Sequence, residues 1–327
     1  MGIGCVSVII PYFQRTPGVL RRALASVAAQ RTCPLPVQVI VVDDASPVPP
    51  HDEIAGIAWP PLMSVQVISR PNGGPGAARN TGLDGAPEET RFVAFLDSDD
   101  QWSVDHLARA IGALEQGFDF FFADHLQLDQ TIGAFGRAGR IPLDLHPSLP
   151  APPAGLHAYQ GDLFDQIMRA NVIGTSTVVY DHKRFGAMRF KVDLTRAGED
   201  YLFWMEIARA GARAAFSSEV AAIYGRGVNV YAGAGWGTEG HLQRIHDEIR
   251  YRRLTRELFD LDAQQARHID TELGGLRHAF ARGLFHCAAH RKRVDPRLLA
   301  THAALDPASF LALPLFAARA LFARTGR

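Results

Sequence analysis

Four short, almost wholly apolar segments lie within the first hundred residues, and three of them end at or lead into clusters of polar side chains. They are VSVIIPYF (6–13), VQVIVVDDAS (37–46), MSVQVISR (63–70) and RFVAFLDSDD (91–100). Runs of this length and composition are typical of strands buried on both faces of a parallel sheet. Stretches with helical spacing of apolar residues follow the first and the last of them, at 17–30 and 103–116. The alternation predicts an α/β fold with a doubly wound sheet and right-handed crossovers.

The rest of the chain divides by composition. Residues 130–158 are rich in Gly and Pro and lack periodicity, which predicts one long loop. Strand and helix patterns return at 161–224. Beyond residue 238 the pattern is helical, with apolar stripes at helical spacing. The sequence therefore predicts an α/β domain over 1–238 and a C-terminal helical region over 239–327.

The charge balance limits the classes of partner. The chain has 327 residues, 47% of them hydrophobic and 21% charged, with a formal net charge of zero. This composition is typical of a soluble globular protein and argues against a nucleic-acid partner, which usually requires a basic excess. From residue 241 onward, fifteen Lys and Arg stand against nine Asp and Glu, a net charge of +6. An acidic body suits a divalent cation, and a basic end suits peripheral contact with an anionic membrane through the C-terminal helices.

Cysteine usage and the first residues bear on location. Cys5, Cys33 and Cys287 are widely separated and form neither a disulfide framework nor a metal-binding pair. The start MGIGCVSVIIPYF lacks the features of a signal peptide. We therefore expect a cytoplasmic protein, with the inner face of the membrane as the alternative. The apolar segment 310–323 is interrupted by Pro and Arg and predicts an amphipathic helix for the core or for a homodimer contact.

Polar residues follow the second, third and fourth apolar segments. Asp43 and Asp44 end the second, Asn72 and Arg79 follow the third, and Asp97-Ser98-Asp99-Asp100 ends the fourth. Ligands of open α/β sheets bind at the carboxyl ends of the strands. We therefore expect these side chains to converge on one crevice.

The residue types in this crevice suit a metal-bound diphosphate. Clustered carboxylates at a strand end provide the oxygen ligands that Mg²⁺ or Mn²⁺ prefers. The guanidinium of Arg79 matches phosphate oxygens, and the glycines of NGGPG allow close backbone approach. Taken alone, the acids could be a solvated loop or a helix cap, and the glycines an ordinary turn. Their coincidence at the strand ends favours the diphosphate site.

Five motifs, in order and in register, resemble the inverting glycosyltransferases of family 2. They are VSVIIPYFQR, VIVVDDAS, RPNGGPGAARNTGL, FVAFLDSDD and AGEDYLFWMEIARAG, and the similarity covers roughly residues 5–225. The resemblance implies the GT-A fold, a Rossmann-like and mostly parallel central sheet flanked by helices, here with a C-terminal helical appendage. It also implies a nucleotide half at about 1–125 and an acceptor half at about 126–238.

The resemblance assigns donor-binding roles to matching positions. Residues that would border the nucleotide, its base or its diphosphate are Pro11, Tyr12, Arg15, Asp43, Asp44, Asn72 and Arg79, with Asp44, aided by Asp43, at the base, typically uracil. Asp97 would lie near the ribose and the metal, Asp99 would be the main ligand of Mn²⁺ or Mg²⁺, and Asp100 would stand beside it.

Glu199 and Asp200 match the acidic pair that supplies the catalytic base in this family. Inverting transfer requires a carboxylate within hydrogen-bond reach of the attacking hydroxyl. We favour Asp200 as the base, with Glu199 second. The alternative is that both are first-turn acids that complement the helix dipole. Trp204 could pack under an acceptor sugar, although a core aromatic is the commoner role.

One departure from the family concerns the metal. Relatives often have a histidine a few residues after the strand matched by 216–224, whereas this chain has Gly225-Arg226-Gly227. Arg226 could contact the diphosphate instead, or His241 or His246 could approach, so metal coordination beyond Asp99 stays open. The glycines of 225–237 suggest a flexible lid.

The resemblance implies an inverting, metal-dependent transferase that moves a sugar from a nucleoside-diphosphate donor, with UDP expected, to a hydroxyl of a glycan or lipid-linked glycan. Bacterial polysaccharide biosynthesis is the expected setting. A Rossmann dehydrogenase or a sugar-nucleotide pyrophosphorylase would need a glycine-rich phosphate loop after the first strand, where this chain has PYFQRTPG. A noncatalytic sugar-nucleotide-binding or scaffold protein is the remaining alternative, and the acidic pair at 199–200 argues against it.

Overall fold

The structure, a computed structural model, describes residues 4–150, 154–194, 198–228, 234–311 and 313–314. The chain divides into two compact units. The first consists of Met1–Val192 and Phe203–Val228, and the second of Asp193–Leu202 and Asn229–Arg327. The second unit therefore includes two short segments before residue 239 in addition to the predicted helical region.

The first unit contains a nine-stranded sheet. Its strands are β1 (Cys5–Tyr12), β2 (Val37–Asp43), β3 (Met63–Ser69), β4 (Thr90–Phe95), β5 (Gln101–Trp102), β6 (Phe120–Leu126), β7 (Leu156–Ala158), β8 (Val179–Asp181) and β9 (Ala214–Ile223). Its helices are α1 (Val19–Ala28), α2 (Pro50–Ile54), α3 (Pro75–Asp84), α4 (His106–Leu114), α5 (Ala134–Ala138), α6 (Leu163–Ala170), α7 (His182–Phe185) and most of α8 (Glu199–Arg209).

The strand order is β3-β2-β1-β4-β8-β6-β9-β5, with β7 paired to β9. Strands β3, β2, β1 and β4 are parallel, with Ile9 opposite both Ile40 and Phe95. Strand β8 runs antiparallel to β4 and β6, so the sheet is mixed. Because the four parallel strands end at the same edge of the sheet, the residues that follow them lie together at that edge.

An aromatic cluster fills the core against β4 and β6. Phe190 stacks on Phe203 at 4.2 Å between ring centroids, and Phe95 and Phe120 surround the ring of Trp204. Trp204 is fully buried. The interpretation of Trp204 as a core aromatic is therefore confirmed.

The prediction of one long loop over 130–158 is wrong in part. Helix α5 and strand β7 both lie within it, together with a single 3-10 turn at Leu143–Leu145. Strand β7 pairs antiparallel with β9, and the Asp124 side chain accepts a hydrogen bond from the Phe135 N–H at the start of α5. Both elements depend on contacts with distant strands, which local periodicity does not record.

The second unit is helical, as predicted. It contains α9 (Glu239–Leu258), α10 (Ala263–Ala289) and α11 (Pro296–Leu305). Leu242 and Ile249 on α9 and Ile269 and Phe280 on α10 are buried, as their predicted stripes require. Most of 310–323, the predicted subunit contact, lies outside the described residues. Within the part of the chain that the structure describes, no helix is long and apolar enough to cross a bilayer.

A buried histidine joins these three helices. His302 of α11 stacks on the Phe280 ring at 3.5 Å, and its Nδ1 lies 3.0 Å from Nδ1 of His246 on α9. Burial, and to a smaller extent the neighbouring His246, lowers the pKa of His302 to about 4, although the charge of Asp306 opposes the shift. The helices therefore pack around a neutral imidazole.

We expect this unit to lose stability in mild acid. The folded-state pKa of His302 lies below the value of about 6.5 for an unfolded chain, so protons bind the unfolded state preferentially. The contribution of neutral His302 to the free energy of unfolding is present above pH 6.5 and is lost as the pH falls toward 4. Between pH 7 and 5 the free energy of unfolding should drop by about 2 kcal/mol.

Urea unfolding followed by helical circular dichroism at pH 7 and pH 5 measures this loss. His302→Leu should reduce the pH dependence, while substitution of the exposed His278 by Leu should leave it unchanged. Equal pH dependence in both variants would contradict the assignment to His302.

Candidate active site

The loops that follow the parallel strands meet at one edge of the sheet, as the sequence predicted. The Asp44 N–H donates to the carbonyl of Tyr12 at 2.9 Å, which joins the ends of β1 and β2. Asn72 donates its side-chain amide to the carbonyl of Asp44 at 2.9 Å, and Arg79 donates to Asp97 at 2.7 Å. Hydrogen bonds thus join the ends of β1 and β2 to the loop after β3, and helix α3 to the loop after β4.

Asp44 anchors the glycine-rich loop. Its buried carboxylate accepts hydrogen bonds from the N–H groups of Gly73 (3.0 Å) and Gly74 (2.8 Å) and forms an ion pair with Arg70. This differs from the expected contact between Asp44 and a base, because the chain's own donors engage the carboxylate. Asp43 accepts from the backbone of the turn that follows it, at 2.8 Å.

The residues that end β1 differ in exposure. The side chain of Tyr12, which was expected to border the nucleotide, is fully buried in the hydrophobic core. Pro11 is partly exposed. Arg15 is exposed, and its guanidinium lies 6.0 Å from the centroid of the Phe13 ring. Pro11 and Arg15 can therefore reach a ligand, and Tyr12 supports the strand.

Arg79 orients Asp97. The Arg79 side chain is only 4% exposed, donates to Oδ1 of Asp97 and lies 5.4 Å from the centroid of the Phe190 ring. The Asp97 side chain is 36% exposed. This guanidinium is thus engaged with a carboxylate at the carboxyl edge of the sheet, whereas the resemblance placed it at a diphosphate.

Residues 97–100 form a tight turn, called the acidic turn below, in which the Asp100 N–H donates to the carbonyl of Asp97 at 3.0 Å. The buried carboxylate of Asp100 accepts from Oγ of Ser176 (2.5 Å) and from the N–H of Gly225 (3.0 Å). Burial, with the charges of Asp97 and Asp99, raises the pKa of Asp100 well above its ordinary value. Asp100 therefore supports the turn from inside, in contrast to its expected position among the metal ligands.

Asp99 is the carboxylate of the acidic turn that fits a cation best. Burial and then the charge of Asp97 raise the pKa of Asp99 to about 6. Within the described ranges no Lys, Arg or His forms an ion pair with it, and no three metal-binding side chains converge. Two close carboxylates on a half-buried turn repel each other, which a hard cation with oxygen ligands would relieve.

The residues after β9 lie against the acidic turn. A Cβ on Gly225 would stand 1.6 Å from the carbonyl oxygen of Asp99, and one on Gly227 would stand 2.6 Å from Oδ2 of Asp99. Only glycine permits this approach at either position. The predicted lid at 225–237 thus begins as a segment packed on the turn, and residues 229–233 lie outside the described ones.

The expected substitutes for the missing family histidine are engaged elsewhere. Arg226 donates to both carboxylate oxygens of Asp129 at 2.8 Å, and both side chains are exposed. In the second unit, His246 bonds His302, and His241 packs against Trp236 at 5.2 Å. Each of the three side chains therefore makes its contact within its own unit.

Two residues of this site escaped the sequence interpretation. Gln14, directly after β1, donates to Oγ of Ser98 at 3.0 Å. Ser176 donates to Asp100 and accepts from the Asp97 N–H at 3.0 Å. Gln14 lies inside a motif quoted above, but no sequence signal distinguishes it or Ser176 as a partner of the acidic turn.

The acidic pair lies in the second unit. Helix α8 begins at Glu199, and Gly198 precedes it with a φ of 84°. A Cβ on Gly198 would stand 2.6 Å from the ring of Tyr251, so glycine is required there on both counts. Glu199 is buried, and Asp200 is partly exposed and accepts from the Tyr201 N–H at 2.9 Å. A partly exposed carboxylate remains accessible to a substrate.

Comparison with protein families decides the classification. A sequence model described as "Glycosyl transferase family 2" matches residues 7–190, more than half of the chain. The chain belongs to glycosyltransferase family 2. The enzyme class expected from the five motifs is confirmed.

This family 2 glycosyltransferase has relatives in bacteria. It is 39% identical over 228 residues to "Succinoglycan biosynthesis protein ExoW" of Rhizobium meliloti (strain 1021), which covers 69% of this chain and 70% of the relative. It is 27% identical over 188 residues to "Putative teichuronic acid biosynthesis glycosyltransferase TuaG" of Bacillus subtilis (strain 168), with 57% and 66% covered.

Solved structures confirm the fold of the glycosyltransferase. The mannosyltransferase PcManGT from Pyrobaculum calidifontis, in complex with GDP-Man and Mn²⁺, matches with a TM-score of 0.57 at 18% identity and covers 93% of this chain and 80% of its own. S. aureus TarS 1-349 in complex with UDP-GlcNAc matches with a TM-score of 0.54 at 18% identity, covering 87% and 73%. The expected GT-A architecture with additional C-terminal helices is confirmed.

Proposed function

We propose that this glycosyltransferase moves a sugar from a UDP-linked donor, with inversion, to a hydroxyl of a glycan or lipid-linked glycan during bacterial polysaccharide assembly. The observation that carries the proposal is Asp99, a half-buried carboxylate without an ion-pair partner among the described residues, beside a second carboxylate at the carboxyl edge of the sheet. Such an arrangement suits a cation that accompanies a diphosphate.

The setting is supported by the relatives. ExoW is named for succinoglycan biosynthesis, and TuaG is named as a putative teichuronic acid biosynthesis glycosyltransferase. Both names refer to the biosynthesis of a polysaccharide, so a glycan is the acceptor that is consistent with both. The UDP donor is supported by the structure of TarS 1-349 in complex with UDP-GlcNAc.

Asp99 and Asp97 fit a divalent cation by the chemistry of their oxygens. The Mn²⁺ in the complex of PcManGT supports a metal of this kind. When bound, the cation would take up charge that develops on the departing nucleoside diphosphate. Arg79 would hold Asp97 in place, and Asp100 would hold the turn through Ser176 and Gly225.

Asp200 would act as the general base. Its carboxylate would accept the proton of the acceptor hydroxyl as the oxygen attacks the anomeric carbon. A carboxylate is a weak base toward an alcohol, so proton transfer would follow most of the bond formation. Glu199, buried in the same first turn, would support helix α8 and serve as the second candidate.

The donor class can be tested by thermal unfolding. We expect a UDP-sugar to raise the unfolding temperature only when Mn²⁺ is present, because the acidic turn requires a cation before it accepts a diphosphate. At a concentration of one hundred times Kd, binding stabilises a protein by about 2.7 kcal/mol. GDP- and dTDP-sugars under identical conditions are the controls. Equal shifts with and without metal would contradict the cation-dependent site.

We also propose peripheral contact of the second unit with the cytoplasmic face of the membrane. Exposed cations lie near one another in sequence at Arg291, Lys292 and Arg293, and Lys292 donates to the carbonyl of Gly237 at 2.7 Å. The adjacent Trp236 is 48% exposed, with the guanidinium of Arg282 at 4.4 Å from its ring. Basic residues beside an exposed tryptophan are typical of interfaces with anionic lipid.

Cosedimentation with vesicles measures this contact. We expect binding to phosphatidylglycerol-containing vesicles, weak binding to phosphatidylcholine alone, and release by salt. Arg291→Glu with Arg293→Glu should lower the affinity at least about tenfold, since each basic residue contributes about 1 kcal/mol. The matched control, Arg137→Glu with Arg140→Glu, changes the same charge on the first unit. An equal loss of vesicle affinity in both double variants would show that net charge is the cause. It would refute a membrane-binding surface at these residues.

A further inference from the structure

The side chain of Gln14 connects two segments at the carboxyl edge of the sheet. It is 5% exposed, and it uses both ends of its amide. Nε2 donates to Oγ of Ser98 at 3.0 Å, and Oε1 accepts from the N–H of Val228 at 3.1 Å. An amide can serve a donor and an acceptor at once, which a hydrophobic side chain of the same length cannot do.

The backbone of Gln14 is held from a third side. Its N–H donates to Oγ of Ser46 at 2.9 Å, and its carbonyl accepts from the same hydroxyl at 3.1 Å and from the N–H of Val48 at 3.3 Å. These residues follow β2. The turn after β2 therefore fixes the backbone of Gln14 independently of the hydrogen bonds that its side-chain amide makes.

Both hydrogen-bond partners of the Gln14 amide belong to segments that lie next to Asp99. Ser98 stands between Asp97 and Asp99 in the acidic turn. Val228 ends the segment that approaches Asp99 through Gly225 and Gly227, which we call the covering segment (224–228). One buried side chain therefore links the turn that carries the carboxylate to the backbone that packs on it.

We propose that Gln14 is a positioning residue that holds the acidic turn and the covering segment in register before the donor binds. It touches neither donor nor acceptor in this role. Holding both groups in advance lowers the ordering cost that donor binding would otherwise incur. The kinetic consequence of this inference rests on the proposed function. The structural consequence, that Gln14 holds the covering segment, does not depend on it.

A second buried glutamine provides a matched control. Gln30 is 8% exposed, and its side chain donates to the carbonyls of Ser26 and Ser103 and accepts from the N–H of Leu107. Its loss should cost stability much as the loss of Gln14 does, without reaching the covering segment. Gln14→Met and Gln30→Met replace each amide by an unbranched side chain of similar length.

The first readout is tryptic cleavage after Arg226, whose side chain is 73% exposed and lies in the covering segment. Cleavage of a folded chain requires local opening. We expect Gln14→Met to accelerate this cleavage about tenfold, as the loss of one hydrogen bond would. Gln30→Met should leave it within about twofold of the wild type. Ser98→Ala, which removes one partner and keeps Gln14, should give an intermediate rate.

The second readout is steady-state kinetics with the donor identified by the thermal-shift panel. We expect Gln14→Met to raise the donor KM about tenfold and to change kcat less than about threefold, because preorganisation acts on binding. If Gln14→Met does not fold, Ser98→Ala decides alone, by faster cleavage and a raised donor KM. Unchanged cleavage, or the same response in Gln30→Met, would overturn the proposal.

The two readouts separate this inference from the proposed function. A wild-type protein that binds no nucleotide sugar with Mn²⁺ would refute the proposed function, and the cleavage rates would still test the hold on the covering segment. A wild-type enzyme with normal donor binding and a Gln14→Met variant with an unchanged KM would refute the positioning role alone.

Discussion

Replacing Asp200 by Asn is expected to lower kcat for sugar transfer by about 10²–10⁴-fold, the range that a general base contributes. Asn keeps the size of the side chain and its ability to accept from the Tyr201 N–H, but it cannot take the acceptor proton. Donor binding should be nearly unchanged, because the proposed donor residues lie in the loops after β1 to β4. Initial-rate transfer assays with Mn²⁺, paired with isothermal titration of the UDP-sugar, measure both quantities.

The matched control is Asp193→Asn. Asp193 belongs to the same compact unit, its side chain is 73% exposed, and it pairs with Arg250. This variant should keep kcat within about twofold, since exposed ion pairs contribute little. Full activity of Asp200→Asn with a loss in Glu199→Gln would move the base to Glu199. A chain that binds the donor but transfers no sugar even as wild type would instead be the noncatalytic binding protein considered above.

Replacing Asp99 by Asn is expected to abolish metal-dependent donor binding while stabilising the folded protein. An amide oxygen is a poorer ligand for a hard cation than a carboxylate, so we expect kcat/KM to fall at least about 10²-fold. The same change removes a charge that burial and Asp97 disfavour, as the raised pKa of Asp99, about 6, records. Above pH 6 the free energy of unfolding should therefore rise, by about 1 kcal/mol.

Urea unfolding at pH 7.5 and a titration of donor binding against Mn²⁺ measure these opposite effects. Asp84→Asn is the control, because Asp84 is exposed and pairs with Arg189 far along the sequence. It should change the free energy of unfolding by no more than about 0.5 kcal/mol and leave the metal dependence intact. A destabilised Asp99→Asn that still needs Mn²⁺ would show that Asp99 supports the fold and that the cation binds elsewhere.

Local sequence patterns were enough to predict most of the fold. The apolar runs at 6–13, 37–46 and 91–100 became β1, β2 and β4, because strands buried on both faces need uninterrupted apolar side chains. Strand β7 has only three residues and owes its existence to pairing with β9. An element this short has no periodicity from which it could be predicted.

The same division holds for the candidate site. The order of the strands and the acids at their ends were enough to place Asp44, Asp97 and Asp99 at one edge of the sheet. They could not show that Asp44 binds the backbone of Gly73 and Gly74, because a carboxylate seeks whichever donors the fold brings near it.

The sequence by itself determined the family, the α/β architecture and the helical C-terminal region, because these depend on the order of apolar segments and on motifs that are continuous in the chain. Only the tertiary structure decided which acid of the turn is available and which is buried as support, and that Gln14 connects the turn to Val228, 214 positions from Gln14 in the chain. Burial and hydrogen-bond partners arise from contacts between distant segments, and the local pattern of residue types does not contain them.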